Sequence, residues 1–210
     1  MKDLIIVGAS GFGREVLQIV KDINKKEPTW NILGFLDDNE EALDGYECDY
    51  NVIGTIRDCN PEPEQNYVMA IANPQVKEKV ITLLESKGAN FVSVIHPMAV
   101  IGSFNKIGRG IVVYPYAKVT VNTTIGDFVS LLGSNIGHDA EVGDYTTITG
   151  MCAINGHVTI GKRVFIGSHV VVAPGKRIGD DVYVGNGSVV VTNIKAGNKV
   201  FGNPAKKLRL

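Results

Sequence analysis

The chain has 210 residues, of which 44% are hydrophobic and 20% charged, and its formal net charge is −1. This composition excludes an intrinsically disordered chain, and the Lys and Arg residues do not cluster as a nucleic-acid surface requires. No apolar run reaches the roughly 18 residues of a membrane helix and no signal-peptide pattern follows Met1, so we expect a cytoplasmic protein without a membrane span.

The balanced total conceals two unlike parts. Residues 1–93 carry 9 Lys and Arg against 16 Asp and Glu, a net charge of −7, whereas residues 94–210 carry 12 against 6, a net charge of +6. The first part has 7 of the 24 glycines and nine of the ten glutamates, and the second has the other 17 glycines. Helix formers therefore give way to turn and strand formers near residue 93. We predict one domain over 1–93, a second over 94–195, and a tail or cap over 196–210.

The first predicted element is a strand over residues 4–7, followed by the glycine turn Gly8-Ala9-Ser10-Gly11-Phe12-Gly13 and a helix. Such a turn brings backbone N–H groups at a helix N-terminus close to an anion. Its G-x-x-G-x-G spacing differs from the G-x-G-x-x-G dinucleotide pattern, so NAD(P) binding by a reductase stays an alternative. A tight turn that binds nothing is another.

Further strands alternate with helices along the first part. The predictions are a strand over 31–36 that ends in Asp37-Asp38, a strand over 67–71, a helix over 74–86 that begins with Pro74, and an exit strand over 91–94. Asp37 and Asp38 are placed to accept hydrogen bonds from a ribose or a base. This alternation predicts a parallel sheet in an α/β, Rossmann-like domain.

From Ile95 onward an aliphatic residue returns every six positions, with a slip of one position between Leu131 and Ile136. A period of six predicts a parallel β-helix with three faces, one coil for every three repeats and almost no helix. The repeated aliphatic residue and a small residue four positions later both point inward. Cys152 occupies one of these small positions, so we interpret it as a core residue. The three widely spaced cysteines indicate neither a disulfide framework nor a thiolate metal site.

The whole chain resembles one branch of the left-handed β-helix acyltransferases. The residues that carry the resemblance are the six-residue repeat, the glycine turn, Gly34-Phe35-Leu36-Asp37-Asp38, Ile136-Gly137-His138-Asp139 and Gly202-Asn203-Pro204-Ala205-Lys206. This branch contains sugar O- and N-acetyltransferases similar to sialic acid O-acetyltransferase and to the UDP-4-amino-sugar acetyltransferase of the bacillosamine pathway. The resemblance implies a homotrimer that acetylates a sugar or nucleotide sugar in bacterial surface-glycan synthesis, with acetyl-CoA as co-substrate and no metal.

The resemblance also implies a role for particular residues. His138, which we expect in a loop distorted by the slip, is the general base, and Asp139, in place of a glutamate, strengthens its basicity. For coenzyme A it implicates Thr147, Gly156, Ser168 and Asn186, with Lys206 and Lys207 near phosphates. For the nucleotide sugar it implicates Ser10, Gly11 and Phe12 near phosphate or ribose, and Asp37 and Asp38 near the base. No covalent acyl-enzyme is expected.

Several alternatives stay open at this point. The acceptor is the amine of an amino sugar in the leading hypothesis, and a hydroxyl of sialic acid or a related sugar in the nearest alternative. His138 and His157 are separated by close to one coil and His169 follows on a different repeat, a spacing that also suits a zinc-dependent hydratase. A nucleotide-sugar binder without catalysis is a further alternative. His96, before Pro97, is interpreted as a structural turn residue.

Overall fold

The computed structural model describes residues 1–208, so the last two residues of the predicted tail lie outside the described residues. The N-terminal part is a five-stranded parallel sheet in the order β3-β2-β1-β4-β5, flanked by two helices. Its elements are β1 Lys2–Val7, α1 Gly11–Lys26, β2 Trp30–Leu36, β3 Val52–Gly54, β4 Gln65–Met69, α2 Pro74–Ser86 and β5 Asn90–Phe91. This arrangement confirms the α/β, Rossmann-like prediction.

The glycine turn lets α1 begin directly against the end of β1. Gly8 has a φ of +105°, a left-handed conformation that glycine adopts without a Cβ clash. A Cβ on Gly13 would lie 2.0 Å from the carbonyl oxygen of Gly8, so only glycine allows this close approach. The turn thereby leaves the first N–H groups of α1 at the carboxyl edge of the sheet.

The remainder of the chain is a parallel β-helix with three faces, numbered here in chain order. The first face contains β6 Val94–Ile95, β9 Val112–Val113, β12 Ser130–Leu131, β15 Thr147–Ile148, β18 Phe165–Ile166, β21 Tyr183–Val184, β23 Lys199–Phe201 and the antiparallel β24 Lys206–Lys207. The second face contains β7 Val100–Ile101, β10 Lys118–Val119, β13 Asn135–Ile136, β16 Ala153–Ile154, β19 Val171–Val172 and β22 Val189–Val190. The third face contains β8 Lys106–Ile107, β11 Thr124–Ile125, β14 Glu141–Val142, β17 Thr159–Ile160 and β20 Arg177–Ile178. We call the turns between the first and second, second and third, and third and first faces the first, second and third corners.

Strand pairing confirms a coil of three repeats and locates the slip. Val142 pairs with Ile160 exactly three repeats later, whereas the pairs that span the slip, such as Leu131 with Ile148, are closer in sequence by one position. The shortened turn covers residues 132–134 at the first corner. The interpretation that the slip distorts the loop around His138 is wrong, because His138 lies in the following turn, at the second corner, where the coil is regular.

The interior of the prism is filled as the repeat predicts. The second residue of most strands is buried, and so are small residues at the corners such as Ala117 and Cys152. The opening coil is an exception, because Ile101 at this end of the prism is 37% exposed. The predicted exit strand over 91–94 is also wrong in part. Val94 pairs with Val112 and opens the β-helix, because its side chain is buried where the two domains meet.

The N-terminal domain covers the first face, and the opposite charges of the two parts meet there. Arg163 of the third corner lies 3.3 Å from Glu78 of α2, and Arg109 pairs with Glu85 of the same helix. On the other side, the Tyr114 hydroxyl donates to Glu15 of α1 at 2.6 Å. The charge split of the sequence therefore follows, in part, from complementary surfaces between the domains.

Lys77 lies fully buried at the centre of this interface. Its ammonium group donates to the carbonyl oxygen of Phe128, to Ser130 Oγ and to Thr147 Oγ1 at 2.8–3.1 Å. All three acceptors are uncharged, so no carboxylate compensates the desolvation of the amine. Burial accordingly lowers the pKa of Lys77 from 10.5 to about 7.

We expect the Lys77→Met variant to lose part of the pH dependence of stability. Between pH 7 and 10.5 the unfolded chain binds more protons at Lys77 than the folded chain, so the free energy of unfolding rises with pH. From pH 6 to pH 9 this contribution is about 2–3 kcal/mol. Urea unfolding of wild type, Lys77→Met and the exposed control Lys79→Met at pH 6, 7.5 and 9 measures it. Equal slopes for all three proteins would contradict the prediction.

Candidate active site

His138 and Asp139 form a hydrogen-bonded pair at the second corner, between β13 and β14. Asp139 has a φ of 58°, and its Oδ2 lies 2.7 Å from Nδ1 of His138. The hydrogen bond from His138 lowers the pKa of Asp139, so this carboxylate is ionised at neutral pH and can only accept. Nδ1 is therefore the protonated nitrogen of the neutral ring, and Nε2 keeps a free lone pair.

The next coil supplies a close-fitting surface beneath this imidazole. Gly156 is buried against the His138 ring, and a Cβ at this position would lie 2.5 Å from Cε1 and 2.6 Å from Nε2 of His138. Any side chain larger than hydrogen would therefore displace the ring. Gly156 is not in the left-handed region, so its backbone conformation does not require glycine. The close contact with the His138 ring does.

His157 stands beside the pair on the same coil as Gly156. Its ring meets the His138 ring edge to face with centroids 5.1 Å apart, and its Nε2 lies 3.7 Å from Asp139 Oδ2. The backbone N–H of His157 donates to the carbonyl oxygen of His138 at 3.0 Å. The side chains of His138, Asp139 and His157 are all exposed.

The predicted coenzyme A residues are divided between two places. Gly156 lies at the second corner with His138, whereas Ser168 and Asn186 lie together at the first corner, where Asn186 Oδ1 accepts from the Ser168 N–H at 3.0 Å. Lys206 and Lys207 are exposed in β24, at the end of the first face. Within one chain these residues do not form a single site.

The structure contradicts the prediction for Thr147. This residue is fully buried on the first face, where its hydroxyl accepts from Lys77 and donates to the carbonyl oxygen of Ala72 at 2.8 Å. Its position in the repeat points outward from the β-helix, but the N-terminal domain covers that face. Thr147 therefore ties the two domains together and presents no surface to coenzyme A.

The predicted nucleotide residues meet at the carboxyl edge of the N-terminal sheet. Ser10 is the N-cap of α1 but makes no side-chain capping bond, and Ser10 and Gly11 are exposed. Phe12 departs from its expected role, because its ring is buried and packs 6.1 Å from that of Tyr114 in the β-helix. Its side chain therefore supports the domain interface, and only its backbone belongs to the turn.

Asp37 and Asp38 lie at the same edge. Asp37 Oδ2 accepts from the Ala9 N–H at 2.8 Å, and its Oδ1 accepts from the Asn39 N–H at 2.9 Å. Asp38 is exposed and accepts from the Arg57 N–H at 3.2 Å. The carboxylate of Asp37 is thus fixed beside the glycine turn, while Asp38 is freer to meet a ligand.

The remaining interpretations from sequence can now be compared with the structure. Cys152 is buried and burial raises the pKa of its thiol, as expected of a core residue and not of a nucleophile. His96 is buried, and its Nδ1 accepts from the Met98 N–H at 3.0 Å, which confirms a structural role.

His169 is exposed at the first corner, away from His138 and His157. Across residues 1–208, no helix is long and apolar enough to span a membrane.

Sequence reasoning missed Lys77, although a signal was present. The buried positions of α2 are Pro74, Lys77, Ile81 and Leu84, which follow the three- and four-residue spacing of one helix face. A lysine in that series indicates a buried amine that needs acceptors. The acceptors themselves could not be identified, because they come from the other domain.

Comparison with known proteins finds a family model for a segment of each part of the chain. A family model described as PglD N-terminal domain matches residues 3–84, and one described as bacterial transferase hexapeptide (six repeats) matches residues 157–192. The GDP-perosamine N-acetyltransferase of Escherichia coli O157:H7 is 31% identical over 216 residues, which cover 97% of this chain and 95% of that protein.

Solved structures agree over the full length. WeeI from Acinetobacter baumannii AYE is 32% identical with a TM-score of 0.87, covering 99% of this chain and 100% of that one. The acetyltransferase domain of PglB from Neisseria gonorrhoeae FA1090, in complex with acetyl coenzyme A, is 28% identical with a TM-score of 0.87 and 99% coverage of each chain. These matches favour acetyl transfer over the reductase, hydratase and binding-only alternatives. The chain is an enzyme that belongs to the hexapeptide-repeat sugar N-acetyltransferases.

Proposed function

We propose that the chain transfers the acetyl group of acetyl-CoA directly to the amine of a nucleotide-linked amino sugar, with His138 as general base. The observation that carries this proposal is the 2.7 Å contact between His138 Nδ1 and Asp139 Oδ2, because an acceptor carboxylate at Nδ1 favours the tautomer in which Nε2 is free to take a proton. The relatives add the two substrates, since one is named for GDP-perosamine and another was solved with acetyl coenzyme A.

In the proposed reaction the sugar amine attacks the thioester carbonyl while His138 Nε2 takes a proton from the amine. The carbon–nitrogen bond forms, and the carbonyl oxygen becomes an oxyanion. When the tetrahedral intermediate collapses, the carbon–sulfur bond breaks and the proton passes from His138 to the sulfur of the leaving coenzyme A. The ionised Asp139 stabilises the imidazolium that exists between these two steps.

The backbone N–H of Gly156 is the proposed oxyanion donor. It lies on the coil next to His138, and no hydrogen-bond partner is found for it within residues 1–208. A fixed N–H that faces the developing charge stabilises the transition state more than the ground state. Because Gly156 contacts the imidazole directly, base and oxyanion donor would be held on the same rigid corner.

We propose a homotrimer in which three second faces surround the symmetry axis. Four of the six outward positions of the second face are apolar, namely Val100, Ala153, Val171 and Val189, and the other two are Lys118 and Asn135. Exposed apolar residues Met98, Tyr116 and Met151 flank this face at the first corner. The third face instead presents Lys106, Thr124, Glu141, Thr159 and Arg177. An exposed surface that is mostly apolar on one face of a β-helix is typical of a subunit interface.

Such a trimer would unite the divided residues. Rotation about an axis that faces the second face brings the second corner of one subunit against the first corner of its neighbour. His138 and Gly156 of one chain would then line a groove with Ser168 and Asn186 of the next. We propose that coenzyme A lies in this groove, with Lys206 and Lys207 near its phosphates.

The N-terminal domain is the proposed holder of the nucleotide. The exposed Ser10 and Gly11 offer a hydroxyl and the N–H groups of the first turn of α1 to a phosphate, and Asp38 is available to a ribose or base. We place the reaction in the cytoplasm. The three cysteines are free thiols in the structure, in keeping with a reducing compartment.

The experiment that tests the proposal mixes enzyme, acetyl-CoA and one acceptor at a time. The acceptors are a GDP-linked amino sugar, a UDP-linked amino sugar, the same amino sugar without nucleotide, and sialic acid, and mass spectrometry detects the acetylated product. We expect acetylation on nitrogen of a nucleotide-linked acceptor and slower reaction of the free sugar. Acetylation of sialic acid on oxygen, with no reaction of any amine, would overturn the proposal.

A further inference from the structure

The second corner carries a set of metal-ligand atoms that the proposed reaction does not fully use. One ligand atom each from His138, Asp139 and His157 lies within 4.8 Å of the other two. The tightest approach is 2.7 Å, between His138 Nδ1 and Asp139 Oδ2, and His157 Nε2 lies 3.7 Å from the same oxygen. The acetyl-transfer mechanism assigns roles to the first two residues and none to His157.

The chemistry of this set suits zinc. Two neutral imidazoles and one carboxylate are ligands that Zn²⁺ prefers, with bonds of about 2.0–2.2 Å to each. Ligand atoms of a tetrahedral zinc ion lie roughly 3.3–3.5 Å apart, by the geometry of those bond lengths. The observed separations bracket this value, so small side-chain rotations bring the three atoms into position. All three side chains are exposed in the single chain, so an ion would keep an open coordination position toward the proposed groove.

The backbone holds the three residues in place before any ion arrives. Asp139 and His157 both adopt the left-handed conformation, with φ of 58° each. The Asp139 N–H donates to the carbonyl oxygen of Val121 at 3.1 Å, and the His157 N–H donates to that of His138 at 3.0 Å. The ligands therefore come from adjacent coils whose spacing is fixed, which lowers the entropic cost of forming a metal site.

We infer that the His138–Asp139–His157 corner is a binding site for Zn²⁺, and that the bound ion inhibits acetyl transfer. The nitrogen of His138 that lies against the Asp139 carboxylate is Nδ1. When Zn²⁺ takes the Nδ1 lone pair, the single proton of the neutral ring resides on Nε2. Nε2 then has no lone pair for the amine proton, and the ion also occupies the carboxylate that would stabilise an imidazolium.

This mode of inhibition has a kinetic signature. The ion lies on the Asp139 side of the imidazole, so it removes the base without filling the place of the sugar amine beside Nε2. We expect Zn²⁺ to lower kcat and to leave KM for the sugar nearly unchanged. The inhibition part of the inference rests on the proposed function, whereas the binding part does not.

Binding is tested by calorimetric titration of Zn²⁺ into tag-free enzyme without substrates. We expect one ion per chain for wild type, and weakening of at least about tenfold in each of the variants Asp139→Asn and His157→Gln, because each lacks a ligand. The control Glu141→Gln removes a nearby exposed carboxylate and should bind as wild type does. Absence of saturable binding, or equal affinity in His157→Gln and wild type, would overturn the site.

Inhibition is tested by product analysis, since the thiol of released coenzyme A itself binds zinc. Each protein is compared with its own metal-free rate. Zn²⁺ should depress kcat of wild type and Glu141→Gln, a chelator should restore it, and His157→Gln should resist inhibition. If zinc saturates the corner and kcat does not fall, the inhibitory role is refuted, while the binding measured by calorimetry still stands. If metal-free wild type is inactive on all acceptors, the result counts against the proposed function alone.

Discussion

Replacement of His138 by asparagine should lower kcat by about 10²- to 10⁴-fold, the range that a positioned general base contributes. Asparagine keeps much of the size and polarity of the imidazole, so the contact with Gly156 need not collapse, but it cannot take up a proton at neutral pH. KM for acetyl-CoA should change little, because the base acts on the amine. Steady-state kinetics with a nucleotide-linked amino sugar provides the measurement.

A second variant separates the base from its support. In Asp139→Asn the amide can still accept a hydrogen bond from Nδ1, but it carries no charge to stabilise the imidazolium. We expect a loss of kcat smaller than that of His138→Asn, with KM for both substrates near wild type. An unaltered melting temperature shows that each variant is folded. Full activity in His138→Asn would remove His138 from the mechanism, and equal activity of Asp139→Asn and wild type would remove Asp139.

The substitution Val171→Glu should dissociate the proposed trimer and abolish most activity. Val171 lies on the outward side of the second face, 38% exposed in the single chain. In the trimer three copies of the new carboxylate would meet near the axis, where burial of unpaired like charges costs several kcal/mol. Without its neighbour, the second corner lacks the groove wall that carries Ser168 and Asn186, so we expect a fall of at least about 100-fold in kcat/KM for acetyl-CoA.

The matched control is Thr159→Glu. Thr159 occupies the equivalent outward position of a strand on the third face, where polar side chains already face solvent. Analytical ultracentrifugation should report trimers for wild type and for Thr159→Glu, and monomers for Val171→Glu. A monomeric wild type, or a Val171→Glu protein that remains trimeric and active, would contradict this arrangement.

The fold was predictable because its signals are local and repeated. The six-residue spacing of aliphatic residues is itself the geometry of the coil, and the helix predicted over 74–86 matches α2 because Pro74 and the Asn73 cap mark its start. The predicted exit strand was wrongly extended to Val94 for the opposite reason. A short apolar segment between two domains can pair with either, and burial across the interface decides between them.

The site was predictable only where the repeat brings residues together. A separation of one full coil in sequence implies adjacency on neighbouring coils, and this places Gly156 and His157 against His138. Thr147 follows the same repeat, yet it is buried because the N-terminal domain covers the first face. Which face a neighbouring domain covers depends on shape and charge between distant segments, as in the pairing of Arg163 with Glu78, and no local pattern encodes it.

The constant interval of strand pairing also bears on how the chain folds. All-parallel sheets ordinarily join segments that are far apart in sequence, and they form slowly for that reason. In this β-helix each strand meets its partners only one coil away along the chain, as Leu131 meets Ile148 and Ile148 meets Ile166. As a fraction of the chain length this separation is roughly 0.09, so pairing within the β-helix is local, unlike the strand pairing of the N-terminal sheet, where Asp3 meets Gln65. We therefore expect folding to spread from one coil to the next, with each completed coil serving as a template for its neighbour.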